Sequence, residues 1–194
     1  MPLSPPARVR SAAVAVLATL SIASRAFGQA PPSPAIQIDN FAKVNDGYYR
    51  GAQPQGRDYT DLAALGVKTI INLTSDEEAS FDEREAVEKL GMRYIHIPMN
   101  TRRPPTAAEL TTFLTVVNDA VSQPVYVHCV GGRHRTGVMT AVYRMTRDGL
   151  SGAQAFKEMK QFKYGPDFLH PEFKRFVHEY DAKKPAVALT TGPQ

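Results

Sequence analysis

The sequence predicts an α/β fold in three layers, in which a central, largely parallel sheet is flanked by helices. Short apolar, β-branched segments alternate with longer segments of helical spacing, and glycine or proline stands between them. Of the 194 residues, 43% are hydrophobic and 22% are charged, which is typical of a globular domain. Strands that alternate with helices form parallel sheets, because each crossover places a helix on one face of the sheet.

Local signals place the boundaries of the elements. The uninterrupted apolar segment 67–73 is typical of a strand that is buried on both faces. Gly66 and Gly91 each follow a helical segment, at the position where a left-handed residue ends a helix. Thr106 and Glu109 have the spacing of a capping box, which begins a helix. The expected strands are 48–50, 67–73, 93–97 and 125–128, and the expected helices are 57–65, 80–90, 107–121, 136–148, 151–162 and 171–180.

The composition divides the chain into four segments. Residues 1–28 have the pattern of a secretory signal peptide, with a basic start, a short apolar run at 12–23 and small residues for cleavage at Ala26 or Gly28. That run is shorter than the roughly 20 residues that a membrane span needs, which favours a cleaved signal over an uncleaved anchor. We therefore expect a protein exported by a bacterium, periplasmic or secreted, with no stable membrane span after cleavage. The remaining segments are a flexible, proline-rich lead-in (29–43), a folded domain (44–181) and a disordered tail (182–194).

The net charge argues against a nucleic-acid partner. The formal charge is +4, but Arg8, Arg10 and Arg25 lie in the predicted signal peptide. Without these three, 20 basic and 19 acidic residues remain, which leaves a net charge of +1. A domain that binds nucleic acid through phosphate contacts is usually strongly basic.

Cys129 is the only cysteine, so it cannot form an internal disulfide. It stands at the start of a loop between an expected strand and an expected helix, and Gly131 and Gly132 allow that loop to curl. Such a turn points successive backbone N–H groups into one concavity, at the positive end of the helix. The concavity can hold a phosphate-like dianion, and the same field stabilises a cysteine thiolate. The predicted phosphate-binding residues are Val130, Gly131, Gly132, Arg133, His134 and Arg135.

Two residues at the start of the expected helix complete the chemistry. The planar guanidinium of Arg135 can hold two phosphate oxygens and the charge that develops during transfer. The hydroxyl of Thr136 can donate a hydrogen bond toward the cysteine sulfur and so help its release from phosphorus. Together with Cys129, these residues predict a two-step nucleophilic phosphoryl transfer that requires no metal and no cofactor.

Residues 128–137, HCVGGRHRTG, resemble the active-site pattern HC-x-x-G-x-x-R-[ST]-G of the cysteine-based protein tyrosine and dual-specificity phosphatase superfamily. Similarity to its bacterial branch extends over roughly 44–180, through DGYYRGAQP, LGVKTIINL, YIHIPM and PVYVHC. The resemblance implies the phosphatase fold and a phosphocysteine intermediate. The segment RHRTG is also similar to the KHRTG ending of the plant and fungal atypical dual-specificity phosphatases. That similarity implies inositol pyrophosphate substrates as well as phosphoproteins.

One part of the superfamily's catalytic set is missing from the expected place. These phosphatases carry an Asp after the strand that matches 93–97, whereas residues 98–105 here contain no carboxylate. Asp76, which follows a neighbouring strand, is the candidate general acid, and Glu77 and Glu78 stand beside it. Alternatively, the substrate has a good leaving group, or the enzyme is slow on alkyl phosphates. Arg102 and Arg103, which stand in residues 98–105 instead, are either solvated or attract a polyanionic substrate. His128 is expected to orient the loop that begins at Cys129.

Three functions therefore remain open. The first is hydrolysis of phosphate monoesters, either on phosphotyrosine, phosphoserine or phosphothreonine or on small phosphorylated molecules. The second is hydrolysis of inositol polyphosphates or pyrophosphates. The third is phosphate recognition without turnover, against which the presence of both Cys129 and Arg135 argues.

Overall fold

The structure is a computed structural model that describes Met1 and residues 36–183. The predicted signal peptide, the start of the predicted lead-in and most of the predicted tail lie outside the described residues. Within residues 36–183, no helix is both long enough and apolar enough to cross a membrane.

Among the described residues, the sheet has five strands in the order β1-β2-β5-β3-β4. Strand β1 pairs with β2 in the antiparallel sense, and every other pair is parallel. The predicted, largely parallel sheet is confirmed, and β1 is an additional edge strand. The strands are β1 (Ala42–Asn45), β2 (Tyr48–Ala52), β3 (Thr69–Asn72), β4 (Arg93–His96) and β5 (Val125–Cys129).

In the part of the chain that the structure describes, six helices connect and cover the strands. Their ends lie close to the predicted ones except in the third helix. That helix ends at Asn118, because the segment after it turns back toward β5. Its predicted capping box is present: Thr106 Oγ1 accepts from the Glu109 N–H at 3.2 Å, and Glu109 Oε2 accepts from the Thr106 N–H at 2.7 Å. The helices are α1 (Asp58–Ala64), α2 (Phe81–Lys89), α3 (Ala107–Asn118), α4 (Arg135–Arg147), α5 (Gly152–Gln161) and α6 (Pro171–Glu179).

Successive residues of β5 belong to different layers of the molecule. Tyr126 packs in a buried cluster with residues of α1 and α2. Val125, Val127 and Cys129 pack instead with α3 and α4 on the other face. This is the alternation that a strand imposes on its side chains. It places His128 and its neighbour Cys129 on opposite faces of the sheet.

The predicted boundary of the folded domain at residue 44 is too late. Ile38 is 8% exposed, and the Phe41 ring stacks on the rings of Tyr49 and Tyr126 at 5.9 and 6.2 Å between centroids. Residues 36–43 are therefore part of the domain and not of a flexible lead-in. The physical reason is that these apolar side chains cover the sheet face beside β2, which outweighs the proline-rich composition just before them.

Candidate active site

The loop from Val130 to His134 connects β5 to α4 at the carboxyl end of the sheet. Cys129 is the last residue of β5, and Arg135 is the first residue of α4. Since β5 lies between β2 and β3, the loop emerges from the middle of the sheet, where open α/β sheets bind their ligands. A depression of about 340 Å³ opens over it, lined by Thr101, Cys129, Val130, Gly131, Arg133, His134 and Arg135.

Donors outside the loop hold three of its carbonyl groups. The Gln53 N–H, Asn40 Nδ2 and Arg50 Nη2 lie 3.2, 2.7 and 2.5 Å from the carbonyl oxygens of Val130, Gly131 and Gly132, respectively. In a trans peptide, the C=O and the following N–H point in opposite directions. The N–H groups of Gly131, Gly132 and Arg133 therefore point away from these donors, into the concave side of the loop. Such an arrangement, here termed the anion cradle, can bind an anion.

Gly132 is the position at which the loop touches β2. Its φ is +65°, and a Cβ there would lie 2.4 Å from the carbonyl carbon and oxygen of Gly51 and 2.6 Å from the Ala52 nitrogen. Backbone atoms of a central strand cannot move aside as a flexible side chain can. Glycine is therefore required both by the left-handed conformation and by the close approach.

Arg50 is a buried cation beneath the loop that the sequence pattern did not reveal. Its side chain is 1% exposed, and its guanidinium lies 4.0 Å from the centroid of the Phe162 ring. Burial lowers the pKa of Arg50, but arginine starts from so high a value that it stays charged. Arg50 thus brings positive charge to the anion cradle as well as a hydrogen bond.

Arg135 is held in place by Glu78. The guanidinium Nη1 donates to Glu78 Oε2 and, at 3.3 Å, to the Met99 carbonyl, and Nη2 lies 3.3 Å from Glu78 Oε1. The hydrogen bond from Arg135 holds the pKa of Glu78 below its usual value. Arg135 is 3% exposed, and its Nε has no hydrogen-bond partner among the described residues. Glu78 therefore fixes the plane of the guanidinium, and Nε is its buried nitrogen without a partner in this part of the chain.

Asp76, the candidate general acid, lies elsewhere. Its side chain is 80% exposed, and Oδ1 is 3.8 Å from His96 Nδ1. It lines a separate depression with Ser80 and Tyr94. In the turn after β3, the Glu78 N–H donates to the Ser75 carbonyl, and this turn brings Glu78 rather than Asp76 over the loop. Asp76 therefore does not line the depression over the Cys129 loop, and Glu78 is the carboxylate next to Arg135.

Thr136 and His128 occupy different positions around Cys129. Thr136 is fully buried in the first turn of α4, and its Oγ1 has no hydrogen-bond partner within the described part of the chain. His128 is also fully buried, but on the opposite face of the sheet, where Nε2 lies 2.9 Å from Glu83 Oε1. Thr136 can therefore serve a ligand group, whereas His128 can act only through the loop.

The two arginines after β4 have different roles. Arg103 forms a two-point ion pair with Glu109, with Nη1–Oε2 and Nη2–Oε1 distances of 3.0 and 2.7 Å. It therefore reinforces the start of α3. Arg102 is exposed and lines a depression together with Asn100 and Arg135, where an anion can reach it.

The side chain of His134 contacts the segment between α5 and α6, and that of Arg133 lies near Asp39, before β1. His134 Nε2 lies 2.9 Å from the Tyr164 carbonyl, and its ring centroid is 3.9 Å from that of His170. Burial lowers the pKa of His134, and the neighbouring His170 adds to the shift. Arg133 Nη2 is 3.7 Å from Asp39 Oδ2 at the surface. These contacts support the outer side of the loop.

Comparisons with known proteins give a consistent result. The sequence model of a family described as "DSP-PTPase phosphatase fused to NAD+ kinase" matches residues 34–175. The dual specificity protein phosphatase TpbA of Pseudomonas aeruginosa is 26% identical over 174 residues, which cover 90% of this chain and 76% of TpbA. The inositol diphosphatase DSP3 of Arabidopsis thaliana is 30% identical over 119 residues, 59% of this chain and 55% of DSP3.

Solved structures agree with these relatives. A crystal structure of P. aeruginosa TpbA has a TM-score of 0.65 and 25% identity, and the match covers 83% of this chain and 99% of TpbA. The catalytic core of the Saccharomyces cerevisiae PP-IP phosphatase Siw14 has a TM-score of 0.66 at 23% identity, with 79% and 92% of the two chains covered. The latter likeness shows a shared fold.

We predict that Gly132→Ala removes anion binding. The added Cβ would push the loop away from β2, so the affinity for inorganic phosphate should fall more than about tenfold, since ordered donors would be lost. Isothermal titration calorimetry measures this, and thermal unfolding reports the accompanying loss of stability. The control is Gly149→Ala: φ is +69°, but no atom lies within 4 Å of the new Cβ. It should cost about 1–2 kcal/mol of stability and leave phosphate affinity unchanged. Equal affinities in both variants would contradict the prediction.

Proposed function

This chain belongs to the DSP-PTPase family of cysteine-dependent phosphatases, and we propose that Cys129 is the nucleophile with which it hydrolyses phosphate monoesters. The observation that carries the proposal is the convergence on one loop of three inward N–H groups, the unpartnered Nε of Arg135 and Cys129. The proposed substrates are phosphotyrosine, phosphoserine, phosphothreonine and small phosphorylated molecules.

In the first step, the thiolate of Cys129 attacks phosphorus and an S–P bond forms as the P–O bond to the leaving group breaks. The inward N–H groups and Arg135 stabilise the charge on the three non-bridging oxygens. These donors are fixed before the substrate arrives, because Glu78, Arg50 and the backbone of β2 hold them. Little reorganisation is therefore needed during transfer.

In the second step, water attacks the phosphocysteine and the P–S bond breaks. The sulfur leaves as a thiolate, to which the Thr136 hydroxyl would donate a hydrogen bond. Thr136 Oγ1 is buried and has no hydrogen-bond partner among the described residues, which supports this role. Inorganic phosphate then leaves the cradle, and the thiolate is ready for the next cycle.

Glu78 serves to position Arg135 rather than to protonate the leaving group. Its depressed pKa keeps it ionised at neutral pH, so it has no proton to give. The segment 98–105 also lacks a carboxylate. The enzyme should therefore prefer leaving groups that need little protonation. The phenolic oxygen of tyrosine, with a pKa of about 10, is better in this respect than the alcohols of serine and threonine.

A second candidate substrate is an inositol pyrophosphate. A phosphoanhydride releases an already stable phosphate oxygen, and the exposed Arg102 beside Arg135 can attract a densely charged molecule. The names of two similar proteins, an inositol diphosphatase and a PP-IP phosphatase, point in the same direction. TpbA, by contrast, has been crystallised with phosphotyrosine.

We also propose that the protein is exported, on the basis of the pattern in residues 1–28. Expressed in full length in a bacterium, the protein recovered from the periplasm should begin after Ala26 or Gly28. Mass spectrometry of that fraction measures the mature mass. A chain that retains residue 1 and sediments with membranes would indicate an uncleaved anchor instead.

We predict that the Cys129→Ser variant loses p-nitrophenyl phosphate turnover by at least about 10³-fold, because no other group can form the intermediate. Thermal unfolding should show that the variant is folded. Full activity of this variant would refute the assignment of Cys129 as the nucleophile.

The preferred leaving group is tested by comparing initial rates on phosphotyrosine and phosphoserine peptides and on an inositol pyrophosphate. Phosphotyrosine should be hydrolysed faster than phosphoserine by tenfold or more. Equal rates on the two peptides would mean that a proton donor assists the departure of the leaving group.

Glu78→Gln tests the positioning of Arg135. Loss of the ionic contact should raise KM roughly tenfold or more, since a charge-assisted hydrogen bond is worth about 1.5–3 kcal/mol. The factor should be equal for p-nitrophenyl phosphate and phenyl phosphate, although phenolate is the more basic leaving group and would gain more from a proton donor. Glu77→Gln, an exposed neighbour, is the matched control and should keep both rates. A selective loss with phenyl phosphate would identify Glu78 as the general acid.

A further inference from the structure

One carboxylate at the edge of the depression is paired with two cations. Asp39 stands before β1, where its Oδ1 accepts a hydrogen bond from Lys163 Nζ and its Oδ2 lies 3.7 Å from Arg133 Nη2. Arg133 lines the depression over the anion cradle, and Lys163 belongs to the segment between α5 and α6 that contacts His134. All three side chains are about half exposed to solvent. We call Arg133 and Lys163 the rim cations.

The backbone fixes Asp39 beside the loop. Its carbonyl oxygen accepts from the Ala52 N–H at 2.8 Å, and Ala52 is in register with Cys129 across strands β2 and β5. The next residue, Asn40, has a left-handed φ of +54°, and its Nδ2 donates to the Gly131 carbonyl at 2.7 Å. Asp39 is therefore anchored at the level of Cys129, and its carboxylate is held at the edge of the depression.

Lys163 occupies a backbone position that favours glycine. It directly follows Phe162, the C-cap of α5, and its φ is +59°. Helices commonly end with glycine at this position, because a side chain is strained in the left-handed conformation. The corresponding residues after α1, α2 and α4 are Gly66, Gly91 and Gly149. A strained residue next to an active site points to a functional side chain, which here is the cation paired with Asp39.

The cluster of Asp39 and the rim cations changes the charge at the depression more than it changes stability. The hydrogen bond from Lys163 holds the pKa of Asp39 below its usual value, so the carboxylate is ionised at neutral pH. Exposed ion pairs contribute little to folding, because water and salt screen them. The single negative charge of Asp39 does, however, offset one of the two positive charges and occupies donors of both rim cations.

We propose that Asp39 is a specificity-determining residue, which favours a substrate with one phosphate group over a polyphosphate. A monoester places its single phosphate in the anion cradle, next to Arg135. The further phosphates of a polyphosphate lie outside the cradle, where Asp39 repels them and competes with them for the rim cations. Such a repulsive element discriminates between ligands that the cradle alone would accept. This inference rests on the proposed phosphatase function, and of its two candidate substrates it favours the monoester.

The decisive experiment compares the affinities of inorganic phosphate and inositol hexakisphosphate by isothermal titration calorimetry. Asp39→Asn keeps the shape of the side chain and removes its charge. At low ionic strength, the affinity for inositol hexakisphosphate should rise about tenfold or more, because donors of the rim cations are released and one repulsion is lost. The affinity for phosphate should change less than about twofold, since the donors of the cradle are untouched. An unchanged affinity for inositol hexakisphosphate, or an equal rise for both ligands, would overturn the proposal.

Two controls separate this role from a structural one. The gain in Asp39→Asn should shrink as salt is raised to about 1 M, where the Debye length is about 3 Å. A gain that salt does not reduce would indicate a changed loop conformation and contradict the proposal. Asp46→Asn removes the same charge from the turn between β1 and β2, at the end of β2 away from the loop, where Asp46 pairs with Lys43 at 2.8 Å. It should leave both affinities unchanged, and a gain equal to that of Asp39→Asn would refute a local effect.

Lys163→Gly shows through which group Asp39 acts. Glycine relieves the left-handed strain, so the variant should fold, and it should bind inositol hexakisphosphate several-fold more weakly and phosphate as before. In the Asp39→Asn background, Lys163→Gly should remove most of the gain. If Asp39→Asn does not fold, Lys163→Gly decides alone, since an unchanged affinity for inositol hexakisphosphate would contradict the proposal.

Failure of the proposed function is distinguishable from failure of this inference. The binding measurements can be made in the Cys129→Ser protein, which needs no turnover to bind an anion. Full turnover by Cys129→Ser would refute the nucleophile, irrespective of the Asp39 variants.

Discussion

The carbonyl groups of Val130, Gly131 and Gly132 are held from outside the loop, and the chemistry of the site follows from that constraint. A peptide plane whose oxygen is bonded on one side must present the next N–H on the other. Strand β2 supplies Arg50, and Gln53 directly follows the strand. The backbone of β2 also excludes any Cβ at Gly132. The anion cradle is therefore shaped by the sheet as much as by the loop.

What could be predicted from the sequence is local. The strand, glycines, cysteine, arginine and helix of the cradle are contiguous, and hydrophobic periodicity places the flanking elements. The partners that hold the cradle are distant in sequence: Asn40, Arg50 and Glu78 are separated by 91, 82 and 57 residues from the groups they bind. The identity of a polar residue does not show whether its side chain will be buried or solvated. Only the folded sheet distinguishes Glu83 from the exposed carboxylates around it in α2.

The choice between Asp76 and Glu78 shows the same limit at short range. Both residues follow β3, and nothing in the pattern ranks one above the other. The turn that begins at Ser75 decides, because it directs Asp76 toward His96 and returns Glu78 over Arg135. The edge strand β1 was missed for a related reason. Its sequence, AKVN, has no apolar run, and it forms because β2 offers it an unpaired edge.

The stability of the thiolate and the lack of a carboxylate in segment 98–105 affect the same step, the departure of the leaving group. Stabilising a thiolate makes sulfur a better leaving group in the second step, but it also makes it a weaker nucleophile in the first. A weaker nucleophile, without a proton donor on segment 98–105, can displace only a leaving group that departs readily as an anion. Phenolates and phosphates satisfy that requirement, whereas alkoxides do not.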